Sequence, residues 1–356
     1  MSELNPQATK LNETIQHSNS VVFDLLSKRG KEIFFPHAGI LGQTAEAKGK
    51  DLNATIGMAC NDDSSIMCLE CLSEEISIDD NSVFPYAPSF GNKKLRGTWQ
   101  EKIASKNPTI NQSDISLPVV TNALTHGLNI TGYLFMDEDT EIIMPEPYWG
   151  NYNLTFKITF GSKIKTFPLF KDEKFNIEGL EERINTGDSK KIIILNFPNN
   201  PSGYTPTNEE TEEIVNVITE YSKKHKTIVV SDDAYFGLVY EAGVPEESIF
   251  SKFYQKSENI LAIKIDGITK EDYAWGLRIG FITFGCKNGS SELYAALEDK
   301  AAGAVRATIS NASNLSQSLI AQAFEKDKYE EEKAERTAIL KSRYEEFKKI
   351  ISDNPQ

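Results

Sequence analysis

From about residue 115 onward, short apolar runs rich in β-branched residues alternate with longer stretches of helical period. SLPVV precedes the helix-like ALTHGLNITGYLF, and TEIIMPEP ends in a turn. KKIIILNF leads through a loop to the amphipathic TNEETEEIVNVITEYSKKH; KTIVVSDD, NILAIKI and GFITFG follow. Apolar runs separated by helical segments predict crossover units and a mostly parallel sheet covered on both faces. The expected class is α/β, a three-layer body whose ligands gather outside the carboxyl ends of the strands.

The first ~60 and the last ~40 residues alternate less and read as more helical. They predict a smaller α+β domain drawn from both chain ends. Residues 1–70 contribute to it, 71–315 form the large domain, and 316–356 begin its C-terminal part. YEEEKAERTAILKSRYEEFKK, near the end, has the charge pattern of a solvated amphipathic helix rather than of a tail.

Composition then narrows the function classes. The chain has 356 residues, 39% of them apolar, enough for a sizeable core. A formal net charge of −14 argues against nucleic acid as the main partner, because phosphate backbones need basic surfaces. No run approaches the roughly 18 apolar residues of a membrane span, and MSELNPQATKLNETIQHSNS has no signal-peptide core. A soluble cytoplasmic protein with no membrane partner is expected. Cys60, Cys68, Cys71 and Cys286 make no disulfide framework in a chain this long. CLEC at 68–71 lacks a second ligand pair at zinc spacing, so no metal is expected. Asn-x-Ser/Thr triplets such as NAT at 53 carry little weight without a secretory signal.

The informative chemistry follows the strands. After KKIIILNF comes PNNPSG, whose prolines and Gly203 force an irregular, rigid loop that holds Asn200 above the sheet. KTIVV is followed by SDDAYFG, with Asp232, Asp233 and Tyr235, and NILAIKI by DGITK, ending in Lys270. Each alone has an ordinary explanation: Asn-Pro loops are common, acidic pairs cap helices, and most lysines are solvated. Together, at successive strand ends, they suit an aldehyde cofactor with a ring nitrogen, a phenolate oxygen and a phosphate. A lysine amine, freed by burial and a neighbouring cation, forms a Schiff base with the aldehyde. A carboxylate keeps the ring nitrogen protonated, and a phenol and an amide donate to the ring oxygen. An arginine and a helix N-terminus hold the phosphate. Pyridoxal 5'-phosphate carries this set of groups.

These motifs, in order from about Tyr86 to Asn311, resemble the fold-type I pyridoxal-phosphate aminotransferases of class I/II, particularly the aspartate aminotransferase branch. NNPSG is similar to the family's Asn-Pro-Thr-Gly loop, with Ser202 for threonine, and DDAYFG to its Asp-x-Ala-Tyr motif. TKEDYAWGLRIG is similar to the Lys-x7-Arg-x-Gly signature, and PEPYWGNYNLTF to the segment that lays an aromatic ring over the cofactor. The resemblance implies Lys270 as Schiff-base lysine and proton shuttle, with Asp232 on the pyridine nitrogen. It implies Tyr235 and Asn200 on the ring oxygen and Trp149 stacked on the ring face. Arg278 and Thr269 would hold the phosphate. So would the helix start at NALTHG, through the Ala123 and Leu124 N–H groups and the Thr125 hydroxyl. Ala123 stands where the family usually has glycine or serine, and Gly267 where it often has a phosphate-binding serine.

Tyr86 would reach the neighbouring subunit's phosphate, which implies a homodimer with shared active sites. VRATISNAS resembles the branch's Arg-x-x-x-Ser-Asn segment, so Arg306 would bind a substrate side-chain carboxylate in the partner's site. NATIGM resembles the mobile segment before the substrate, with Gly57 allowing close approach. The implied reaction is ping-pong transfer of an amino group between an acidic amino acid, aspartate or glutamate, and a 2-oxo acid. The family's continuation, with its arginine for the substrate α-carboxylate, has no counterpart before IISDNPQ, so a truncated chain is expected. A pyridoxal-phosphate lyase or decarboxylase, or a non-catalytic protein on this scaffold, stays open. A nicotinamide dehydrogenase is disfavoured because no Gly-x-Gly-x-x-Gly follows the early strands.

Overall fold

The computed structural model describes residues 4–35, 43–44, 46–50, 55, 57–73, 79–187 and 190–354. Asn53 and Ala54 of the NAT triplet, and His37, lie outside the described residues. The main strands are β1 Val119–Thr121, β2 Glu141–Glu146 and β3 Lys163–Pro168. After a small antiparallel pair, β4 Phe170–Lys171 and β5 Lys174–Phe175, come β6 Lys191–Leu195, β7 Thr227–Asp232, β8 Ile260–Gly267 and β9 Gly280–Cys286. Seven of them form one sheet in the order β1-β9-β8-β7-β6-β2-β3. β3, β2, β6, β7 and β8 run parallel, and β9 is antiparallel to both β8 and β1.

The helices that position the site are α1 Lys93–Lys106, α2 Ala123–Phe135, α3 Asn208–Ser222, α4 Ile268–Glu271, α5 Ser291–Thr308 and α6 Lys328–Asp353. KIIIL of β6 is buried at every residue, as a strand covered on both faces must be. Its neighbours alternate between two cores. Ile193 and Val229 face Trp99 and Ile103 of α1 and Ile214 and Ile218 of α3. Ile192, Ile194 and Val230 face Leu128 of α2 and Ala304 and Val305 of α5. Local sequence sets the boundaries too: α3 starts at a capping box in which Thr207 and Glu210 bond each other's backbone N–H. The body is thus the expected α/β arrangement, a mostly parallel sheet between two helical layers.

A third cluster joins the two ends of the chain. Met67, Leu69 and Cys71 pack with Tyr273, Ala323 and Tyr329, with Ile339 and Leu340 at the margin. The single buried residue of α6 is Tyr329, so this helix is solvated over most of its surface, as its charge pattern predicts. The N-terminal residues fold into the short helices Pro6–Ser18, Ser20–Leu25 and Lys28–Glu32. In CLEC, Cys68 is exposed while Cys71 is buried, and burial, with Glu332 beside it, pushes the Cys71 thiol up to about 12. Among the described residues no helix is long and apolar enough to cross a membrane.

Strand register fixes where the loops emerge. Leu195 pairs with Ser231, Asp232 with Ile265, and Gly267 with Gly280. β1 runs in the direction of β8, since both oppose β9. The chain therefore leaves β1, β2, β6, β7 and β8 at one common edge.

Candidate active site

At that edge lies a cavity of about 200 Å³. The turn after β1 lines it with Ala123, Leu124 and Thr125, the loop after β2 with Trp149 and Tyr152, and the loop after β6 with Asn196 and Asn200. β7 ends in it with Asp232, Ala234 and Tyr235; α4 adds Thr269 and Lys270, and the approach to β9 adds Trp275 and Arg278.

Lys270 leaves β8 on the single turn of α4, and its Nζ lies 5.1 Å from the centre of the Tyr235 ring. Among the described residues it makes no ion pair. Burial, and then the positive Arg278, lower its pKa, which favours the nucleophilic amine. Gly57 closes over the same spot: a Cβ there would stand 3.8 Å from Lys270 Nζ and 3.9 Å from the Tyr235 hydroxyl. Both distances are ordinary van der Waals contacts, so Gly57 borders the amine without crowding it.

Asp232 is 3% exposed. The Tyr152 hydroxyl donates to its Oδ2 at 2.5 Å, and the Ala234 N–H to its Oδ1 at 3.3 Å. Burial raises its pKa to about 6, Asp233 adds to the rise, and the two hydrogen bonds oppose it. A carboxylate desolvated this far gains most from a cation beside it. Asn200 donates to the Tyr235 hydroxyl at 3.5 Å. The NNPSG loop is tied to β7 by Asn196, whose Nδ2 donates to Asp232 O at 2.9 Å while its Oδ1 accepts the Asn200 N–H at 2.8 Å.

The other end of the cavity is a backbone cradle. A Cβ on Gly280 would lie 2.6 Å from the Ala123 carbonyl carbon and 3.0 Å from Leu124 N, so glycine alone lets the α2 N-terminus sit this close to β9. A Cβ on Gly267 would lie 2.6 Å from Ile279 O, which explains the departure from serine there: this backbone leaves no room for one. Ala123 holds φ +60, a conformation that suits glycine better. Thr269 Oγ1 and Trp275 Nε1 are both buried without a hydrogen-bond partner. Arg278 is exposed at the rim.

Two predicted site residues stand apart from the cavity lining. Tyr86 is 89% exposed, and Arg306, exposed on the last turn of α5, donates to Ser310 Oγ at 3.0 Å. The resemblance assigns both to a neighbouring subunit's site rather than to this cavity. Sequence reasoning passed over Tyr152, Asn196 and Trp275. Each lies inside a quoted motif, so proximity to Trp149, Asn200 and Arg278 was the available signal.

Comparison with known proteins fits this geometry. The family described as aminotransferase class I and II matches residues 51–354. The aspartate aminotransferase of Bacillus subtilis (strain 168) is 29% identical over 217 residues, 61% of this chain and 51% of that protein. A probable aspartate/prephenate aminotransferase of Aquifex aeolicus (strain VF5) is 28% identical over 218 residues, 60% of this chain and 52% of that protein. The chain spans about half the length of these curated relatives. Among solved structures, an aminotransferase from Anaerococcus prevotii matches 93% of this chain and 83% of its own, with TM-score 0.79 and 24% identity. The aspartate aminotransferase from Saccharomyces cerevisiae cytoplasm matches 91% and 80%, with TM-score 0.75 and 19% identity; at these identities the likeness is one of fold. By its sequence match and its sheet, the chain belongs to the class I and II aminotransferase family.

Proposed function

We propose that this chain is the catalytic body of an aminotransferase that uses pyridoxal 5'-phosphate to move an amino group between an acidic amino acid and a 2-oxo acid. The observation that carries the reading is the meeting of Asp232, at the end of β7, with Lys270 and Arg278, from the segment between β8 and β9, in one cavity with the start of α2. The residues present fit the cofactor. A buried hydroxyl without a partner beside a glycine-cleared helix start is a seat for an anion, and a desolvated carboxyl favours a ring cation.

Ala123 and Leu124 N–H, the hydroxyls of Thr125 and Thr269, and Arg278 would hold the phosphate. Asp232 would hold the proton of the ring nitrogen, and Tyr235 and Asn200 would donate to the ring oxygen. Trp149 would cover a ring face. When bound, the cofactor supplies an aldehyde that captures amines and a ring that withdraws electrons from the adjoining carbon. Lys270, with its lowered pKa, is the amine for that aldehyde, and once free it takes the proton from the substrate α-carbon and returns it elsewhere. Gly57 would shape the substrate side above it. Tyr86 and Arg306 would serve the adjoining subunit of a cytoplasmic homodimer, Arg306 gripping the substrate's second carboxylate. The cluster joining residues 59–71 to 323–340 supports a smaller unit formed by 1–70 and 316–356 beside the 71–315 body.

Borohydride reduction followed by intact mass and peptide mapping tests the reading. One cofactor fixed to Lys270, and amino-group transfer from aspartate to 2-oxoglutarate that Lys270→Ala abolishes, are expected. Sustained turnover of an amino acid without any oxo acid would replace the reading with a lyase.

A further inference from the structure

Behind Lys270 the chain builds a second set of charges that the proposed reaction leaves unused. Glu271 and Asp272, the next two residues, are 8% and 0% exposed. Glu271 Oε1 meets Lys106 Nζ of α1 at 2.6 Å and Lys333 Nζ of α6 at 2.8 Å. Lys333 also reaches Asp272 Oδ1 at 3.0 Å, and the Tyr329 hydroxyl donates to that same oxygen. Gly237, two residues after Tyr235 and at φ +87, leaves room for the cluster: a Cβ there would lie 2.7 Å from Glu271 Oε1. The turn bearing Lys270 is therefore wedged between the Tyr235 loop and α6.

Such a cluster is a poor device for stability alone. Taking each ion out of water costs about what the pairing returns, and well-packed apolar side chains usually do as well. What paired buried ions do supply is a fixed direction. α4 is a four-residue helix, too short to hold its own orientation. Its direction is set from outside, through the two side chains that follow the lysine.

We propose that Lys333 is a positioning residue for Lys270: gripping Glu271 and Asp272, it fixes the turn that aims the Lys270 amine into the cavity. The long helix α6 thereby becomes part of the active-site apparatus. This rests on the aminotransferase reading.

The test uses the full chain with and without pyridoxal phosphate, as Lys333→Met and Lys333→Arg. Lys333→Met leaves Glu271 with Lys106 and Asp272 with Tyr329. It is expected to lower kcat roughly tenfold with KM within about twofold, because a small misaim of the amine slows the step without weakening binding. In the cofactor-free protein, trace acetic anhydride labelling of Lys270, read by peptide mass across pH, gives the titration midpoint of the amine. That midpoint is expected to rise in Lys333→Met as the loosened turn meets water, and to return with Lys333→Arg together with most of kcat. An unchanged kcat and an unchanged midpoint overturn the proposal. If Lys333→Met does not fold, Tyr329→Phe, which removes one hydroxyl from Asp272, takes its place. A kcat lowered roughly threefold at constant KM then supports the proposal, and parent values for both overturn it. A parent protein that fixes no cofactor at Lys270 sinks the aminotransferase reading and this inference together. A parent fixed at Lys270 beside an unaffected Lys333→Met sinks this inference alone.

Discussion

The two sides of α4 treat charge in opposite ways. On the cavity side, Lys270 and Arg278 make no ion pair among the described residues, and Thr269 Oγ1 and Trp275 Nε1 have no hydrogen-bond partner. On the far side the lysines are answered. Lys106 and Lys333 meet Glu271, and Lys264, 1% exposed, pairs with Asp233 and lies 3.4 Å from Asp266. Ser248 and the Trp99 indole N–H complete those two carboxylates at 2.6 and 2.9 Å. A chain that satisfies three lysines behind the sheet edge has the means to satisfy a fourth. Asp272 Oδ2, behind α4, also lacks a partner, so the contrast is one of cations: those on the cavity side alone are left for an anion to meet.

That contrast can be broken from either side. The largest expected effect is on the open side: Lys270→Ala should cut amino-group transfer by about a thousandfold or more while the urea midpoint stays near the parent's. On the closed side the pattern should invert. Lys264→Ala leaves Asp233 and Asp266 buried without their cation and should cost about 3–5 kcal/mol in urea unfolding. A mild loss there would mean that the far side is no scaffold.

Asp232 sharpens the comparison through pH. Its folded pKa of about 6 lies above the ordinary 3.8, so its stabilising contribution is complete below 3.8 and is lost as pH climbs through 6. Cofactor-free Asp232→Asn should therefore exceed the parent in stability at pH 8, by up to about 2–3 kcal/mol, with the advantage vanishing near pH 4. The same variant, once loaded, should lose turnover. A stability difference that is flat across pH would place the carboxyl in a wetter setting than the cavity described. The smallest effect belongs to the anion cradle: Ala123→Gly relieves a left-handed φ and should gain about 1 kcal/mol in thermal unfolding or leave it unchanged.

The open side was largely legible in the sequence and the closed side was not. Asn200, Asp232 and Lys270 follow continuous apolar runs, so parallel pairing alone carries them to one edge. Lys333 sits on a helix whose charge pattern reads as solvated, and where it and Lys106 end up depends on how α6 and α1 dock. Tyr152 escaped notice because it directly precedes the π-helical turn Asn153–Ile158, whose winding no periodicity announces. Gly267 stands where the resemblance implies a serine, and only the backbone course beside the Ile279 carbonyl shows why glycine is there.

The acidic doublet at 232 and 233 looks redundant on paper, yet the last residue of β7 and the one that follows it have different partners. The Asp232 carboxyl lines the cavity, and that of Asp233 neutralises Lys264. Neither can stand in for the other. A descendant of this chain that discarded the second aspartate would be expected to discard the lysine at 264 as well, so the two positions should drift in tandem while the first stays put.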